Sequence, residues 1–204
     1  GPLDNFYLDY MEEGKPDLII ILDKAVVKQS FIDETPCTVL YLDHHQLQNL
    51  KKVKYFNPLK HNKDIYLPTS YLAYQVTKDN LWLATLGCLF DYHIPDFIKD
   101  FKKEYPDLIE KIPTDPGYIL FKTELGKLIK IFTFNLKGKK SEVKKSIKAL
   151  EKIKSPYEIL NKTTEDGKYL YWRYEKLNKE YERLIEDSKK EITKDKILLF
   201  IYPS

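Results

Sequence analysis

Cysteine is scarce: the 204 residues contain two, Cys37 and Cys88, too few for a disulfide framework. Both sit in apolar runs, which predicts buried free thiols and a reducing, cytoplasmic setting. Arginine is almost missing as well, since Arg173 and Arg183 are the only ones among 34 basic residues. Charge of one sign does not dominate either. The 34 basic and 31 acidic residues leave a net +3, which does not by itself point to a nucleic-acid binder. No apolar run approaches the roughly 18 residues of a membrane helix. No leader is expected, because the start turns acidic within a few residues, and Gly1-Pro2 reads as a protease-cleavage scar. Internal repeats and low-complexity stretches are also lacking. Membrane, secreted and fibrous classes are therefore excluded at this level. With 43% hydrophobic and 32% charged residues, the chain can still build a core.

Asp17-Leu-Ile-Ile-Ile-Leu-Asp23 is a continuous apolar run bounded by carboxylates. It predicts a strand buried on both faces of a parallel sheet. Residues 24–34 are long enough for a crossover helix, and Cys37-Thr-Val-Leu-Tyr-Leu42 predicts a second strand. Strand, crossover and strand form a βαβ unit, which places Asp23 and Asp43-His44 together at the strand C-terminal ends. Val53–Phe56 predicts a third short strand closed by Asn57-Pro58. Pro68-Thr69-Ser70 offers a cap for a helix through Val76, and Leu81–Phe90 predicts a buried helix ending at Asp91.

From Pro95 onward the pattern is helical. Pro106 and the turn Thr114–Gly117 start new elements, and apolar faces recur over 120–132 and 143–153. Leu170, Tyr174, Leu177, Tyr181, Leu184 and Ser188 form a narrow stripe on a long charged helix. Ile197–Tyr202 predicts a terminal buried strand. The fold class is therefore α/β: a parallel-sheet domain, a helical extension and a long C-terminal connecting helix.

Asp43-His44-His45 is the most specific motif. Adjacent imidazoles after a carboxylate, at the mouth of a parallel sheet, suit a divalent metal, with carboxylates either binding alongside or orienting the rings. Asp23 and Asp91 add oxygen ligands, which favours Mn²⁺ or Mg²⁺ over a thiolate-type zinc site. His61 and His93 read as ordinary surface or turn histidines. The lysine runs 51–54 and 137–145 read as solvated faces. Tyr169, Tyr171 and Trp172 read as packing along the long helix.

These residues resemble the DHH phosphoesterases, in particular the archaeal RecJ-like single-strand nucleases. The resemblance rests on Leu18–Asp23, Leu40-Tyr-Leu-Asp-His-His45, Tyr55-Phe-Asn-Pro58, Ser70–Tyr74 and Ala84–Asp91. It continues more weakly through Thr123–Lys127, Ser155–Leu160 and the long helix. It implies that Asp23 bridges two ions, that His44 and Asp91 ligate one of them, and that His45 faces the substrate phosphate. Asp43 would hold the histidines from behind, and Asn57 would contact substrate. Two ions about 4 Å apart would drive in-line hydrolysis of a phosphodiester.

By the same resemblance, 3–95 is a partial DHH core, 96–165 its helical part and 166–192 the connecting helix. Residues 193–204 would be the first strand of a DHHA1 domain that is missing or supplied by a partner. The family's first motif has no counterpart here, and Lys24 follows the bridging aspartate, where a cation would oppose metal binding. The implied partners are single-stranded nucleic acid, a second chain supplying the first motif or DHHA1, and replication proteins such as GINS. A catalytically inactive scaffold of the Cdc45 type is one alternative. A nucleotide or cyclic-dinucleotide phosphodiesterase is another.

Overall fold

The computed structural model describes residues 3, 14–112, 114–194 and 197–202. The chain divides into two compact units, one of residues 1–106 with 110–117 and the other of 107–109 with 118–204. No helix among the described residues is long and apolar enough to cross a membrane.

The first unit is α/β. Its three strands, β1 (Leu18–Leu22), β2 (Thr38–Leu42) and β3 (Lys54–Phe56), pair in parallel in the order β1-β2-β3. Register aligns Ile19 with Val39 and Ile21 with Tyr41, so these side chains share one face. The helix α1 (Gln29–Glu34) covers that face with Phe31 and Ile32, joined by Val27. Tyr41 is fully buried and stacks on Tyr55 with ring centroids 4.5 Å apart.

The other face of β1 departs from expectation. Leu18, Ile20 and Leu22 are 48%, 55% and 50% exposed, so β1 is buried on one face only. No layer among the described residues covers this face, and a strand's own apolar run does not supply one.

Two helices follow, α2 (Thr69–Thr77) and α3 (Leu81–Phe90), joined by a turn in which Lys78 and Asn80 adopt left-handed backbone. They approach closely at Gly87, where an added Cβ would fall 2.6 Å from the Ser70 Cβ. The helix α3 is buried along most of its length, with Cys88 and Leu89 fully enclosed. Cys37 is partly exposed, so burial is confirmed for one thiol of the two. The unit continues through α4 (Ile98–Glu104) to a 3₁₀ turn at Pro106–Leu108.

The second unit is helical. After α5 (Pro116–Lys122) come α6 (Glu124–Asn135), α7 (Lys140–Leu150), α8 (Pro156–Leu160) and α9 (Glu165–Lys190). Side-chain caps start several of them. Thr123 accepts from Gly126 N, Ser155 closes a capping box with Glu158, and Thr164 accepts from Gly167 N. Buried Asn135 ties three helices together. Its Nδ2 donates to Ile131 O and Leu170 O at 2.9 Å, and its Oδ1 accepts from Ser146 Oγ at 3.1 Å. The α9 stripe is buried at Leu170 and Tyr174 and half-buried from Leu177 onward.

Ile197–Tyr202 forms no strand pairing among the described residues, and Ile197, Leu199 and Ile201 are 83%, 76% and 80% exposed. Apolar, β-branched composition favours a strand only where a neighbour receives its backbone groups, and none among the described residues does so.

Candidate metal centre

The site forms where the strands end. Asp23 N still donates to Leu42 O at 3.1 Å, and Asp43 N donates to Phe56 O at 3.2 Å, so both aspartates stand on the last rungs of the sheet. Asp23 then turns into left-handed backbone (φ 55°), which aspartate tolerates better than branched residues do.

Two carboxylates converge on one imidazole nitrogen. His44 Nε2 lies 3.1 Å from Asp23 Oδ1 and 4.0 Å from Asp91 Oδ2. One N–H serves one acceptor well, and a cation between them would serve both. The His44 side chain is 7% exposed, and its Nδ1 is buried with no hydrogen-bond partner.

His45 is held differently. Asp43, fully buried, places Oδ1 2.8 Å from His45 Nδ1 and accepts the His45 backbone N–H on Oδ2 at 3.0 Å. This carboxylate-oriented imidazole is the arrangement that aims a metal- or phosphate-binding histidine. Its other nitrogen, Nε2, belongs to a side chain 41% exposed at the cleft. Ligand atoms from Asp23, His44 and His45 all lie within 4.8 Å of one another. Carboxylate and imidazole donors at that spacing fit a divalent cation with open positions, and Asp91 stands ready beside them.

Electrostatics agree with a crowded acidic mouth. Burial raises the Asp91 carboxyl above the usual carboxylate range; the Asp23 charge adds to this, and His44 opposes it. Burial, with Asp91 and Asp23 adding to it, also raises the Tyr66 hydroxyl.

The surrounding cleft, of about 500 Å³, is lined by Asp23, His44, His45 and Asp91 together with Lys63 and Tyr66. A larger concavity, of about 1420 Å³, lies at the opposite ends of the strands between Lys15, Glu34, Lys52 and Lys54. Among the described residues the group of metal-capable side chains lies at the smaller cleft.

Several sequence expectations need revision. Asn57, expected to touch substrate, is fully buried with both polar atoms engaged. Its Nδ2 donates to His45 O at 2.9 Å and to Tyr55 Oη at 3.0 Å, and its Oδ1 accepts from Leu59 N at 3.0 Å. It positions the backbone of His45 instead. Lys24, expected to oppose a metal, lines a separate groove with Leu3, Ile19–Leu22 and Phe31 rather than the site cleft. His61 is exposed, and His93 is wedged between Tyr66 and Tyr71; neither joins the ligand group.

Two contributors were missed. Thr69 donates from Oγ1 to Asp23 Oδ1 at 3.1 Å instead of capping its own helix. Tyr66 donates to Asp91 O at 3.2 Å and lays its ring 5.3 Å from that of His44. A threonine at a helix start reads as a cap, and a lone aromatic in a polar loop carries no positional signal. No protein-family model matches this sequence, and no curated protein matches it.

Proposed function

We propose that this chain is the metal-binding part of a DHH-type phosphodiesterase, a RecJ-like exonuclease acting on single-stranded DNA or RNA. One observation carries the reading: Asp23 and Asp91 approach the same nitrogen of His44, while Asp43 aims His45 at the same mouth. The resident ions would be Mn²⁺ or Mg²⁺, supplying Lewis-acid neutralisation of the phosphodiester and water acidified toward neutral pH. Asp23, oriented by Thr69, would hold the metal together with His44 and Asp91. His45, its Nδ1 fixed on Asp43, presents Nε2 to a phosphate oxygen. The remaining ligands come from a second polypeptide segment carrying the family's first motif, and the half-exposed edge strand β1 is a suitable place for it to add.

The test is hydrolysis of an end-labelled single-stranded oligonucleotide in Mn²⁺, by this chain and by His44→Ala, each with a polypeptide bearing that first-motif strand. Metal-dependent cleavage that disappears in the variant supports the proposal. Equal cleavage by both, or none by either, overturns it.

A second reading is favoured by Leu18, Ile20 and Leu22 on the sheet edge. Such an apolar face suits a protein partner, as in a replication scaffold of the Cdc45 type that binds proteins such as GINS. In that case His44→Ala leaves partner binding unchanged.

A further inference from the structure

We infer that the face shared by α7 and α9, built of Lys145, Tyr169, Trp172 and Lys176, is a binding surface for a single nucleic-acid strand. The inference takes its ligand class from the nuclease reading, but it rests on a different part of the molecule.

Helical spacing separates the aromatic residues of α9. Leu170, Arg173 and Tyr174 are buried, whereas Trp172 projects from the opposite side and is 56% exposed. The expected packing of Tyr169, Tyr171 and Trp172 along the helix thus fails for Trp172. Tyr169, Trp172, Lys176 and Lys179 step by three, four and three residues, which places them on one stripe. The contacts confirm the stripe and carry it onto α7. The Lys145 Nζ sits 4.4 Å over the Tyr169 ring, the Tyr169 and Trp172 centroids are 6.3 Å apart, and the Lys176 Nζ is 6.0 Å from the Trp172 ring.

Charge on this face is not balanced. The nearby acids are occupied by other cations: Glu165 by Lys168, Asp166 by Lys152, Glu175 by Lys162 and Glu180 by Arg183. Lys145, Lys148, Lys176 and Lys179 form no ion pair within 4.0 Å among the described residues and all are exposed, although Lys176 also acts on Glu142, which Arg173 holds. An exposed indole beside a phenol, flanked by exposed ammonium groups, offers stacking to bases and counter-charge to phosphates at once. A duplex hides its bases from such a platform, so a single strand fits it best.

The chain carries its own reporter. Of the two tryptophans, Trp82 is 2% exposed in the other unit, so quenching by an added ligand reads Trp172. The full chain is titrated in EDTA with oligo(dT), oligo(U) and a duplex of equal length, and affinity is followed in parallel by anisotropy of labelled oligonucleotides. We expect both single strands to quench, with the tighter one identifying DNA or RNA as the natural source, and the duplex to bind weakly. Trp172→Ala should lose about tenfold in affinity, and Trp172→Phe should retain most of it. Removing Lys145 and Lys176 should lower the salt slope by about 0.7 per lysine.

Absence of quenching, equal binding of duplex, or unchanged affinity in Trp172→Ala with its fold verified by circular dichroism overturns the inference. The metal-free design separates the two claims. Strand binding without hydrolysis in Mn²⁺ sinks only the nuclease reading, and hydrolysis without quenching sinks only this one.

Discussion

Thr69 Oγ1 donates to Asp23 Oδ1 at 3.1 Å, and the same oxygen faces His44 Nε2 at 3.1 Å. A helix N-terminus and a strand C-terminus are thus tied through one carboxylate oxygen. That oxygen is held in place before any ligand arrives.

Thr69→Val should therefore weaken Mn²⁺ binding by about three- to tenfold, the worth of one ordinary hydrogen bond at a partly exposed site. Thr69→Ser should restore it. Calorimetric titration of Mn²⁺ into the three proteins checks this, and equal affinities would show that Asp23 needs no such support.

Asp43 is fully enclosed and accepts both the His45 ring and the His45 backbone amide. Asp43→Ala removes two hydrogen bonds made to a buried carboxylate, so the chain should lose about 2 kcal/mol of stability. Thermal melting monitors the loss. A melt within 1 °C or so of the parent would remove Asp43 from the supporting role given to it.

Burial pushes the Cys88 thiol up from its ordinary 9.0 to about 12. The unfolded chain releases this proton above pH 9 while the folded chain keeps it, so unfolding is favoured by rising pH. Stability should fall between pH 9 and about 12, and Cys88→Ala should flatten that slope by up to one proton, about 1.4 kcal/mol per pH unit. Urea titrations across that range measure it. At pH 8 the same shift makes Cys88 slow toward iodoacetamide until the protein is unfolded.

Asn135 joins α6, α7 and α9 through three hydrogen bonds in a buried setting. Asn135→Leu removes both donors and strands Ser146 and the Leu170 carbonyl, at a cost of about 1–3 kcal/mol. Because the network is local to the helical unit, hydrogen exchange should rise there while the β1–β3 amides stay protected. Uniform loss across both units would argue against a local pin.

Much of this arrangement was legible in the sequence. The runs Leu18–Leu22 and Thr38–Leu42 read as strands because they are apolar and β-branched. Parallel pairing then brings Asp23 beside His44 without further information. Asp91 followed from a helix with an evident end. What the residues hid was anything set by a third layer or a distant partner. The exposed face of β1 depends on what lies above it rather than on Ile20 itself. Thr69 looked like a cap because local spacing cannot reveal a carboxylate 46 residues away in the chain. Asn57 looked like a substrate contact until three internal partners were seen to consume it. Ile197–Tyr202 has strand composition, yet composition does not provide a neighbour.

The last-rung position of Asp23 and Asp43 also bears on which sequence changes the fold can absorb. Each strand residue advances about 3.3 Å and reverses the face of its side chain. Deleting one residue from β1 or β2 would thus carry Asp23 or Asp43 a full step back and turn it toward the opposite side. Substitutions among Ile19, Ile20 and Ile21 leave the spacing intact. Counting matters more than identity in these strands: drift among relatives should preserve residue number from Leu18 to Asp23 and from Thr38 to His45 while aliphatic side chains exchange freely.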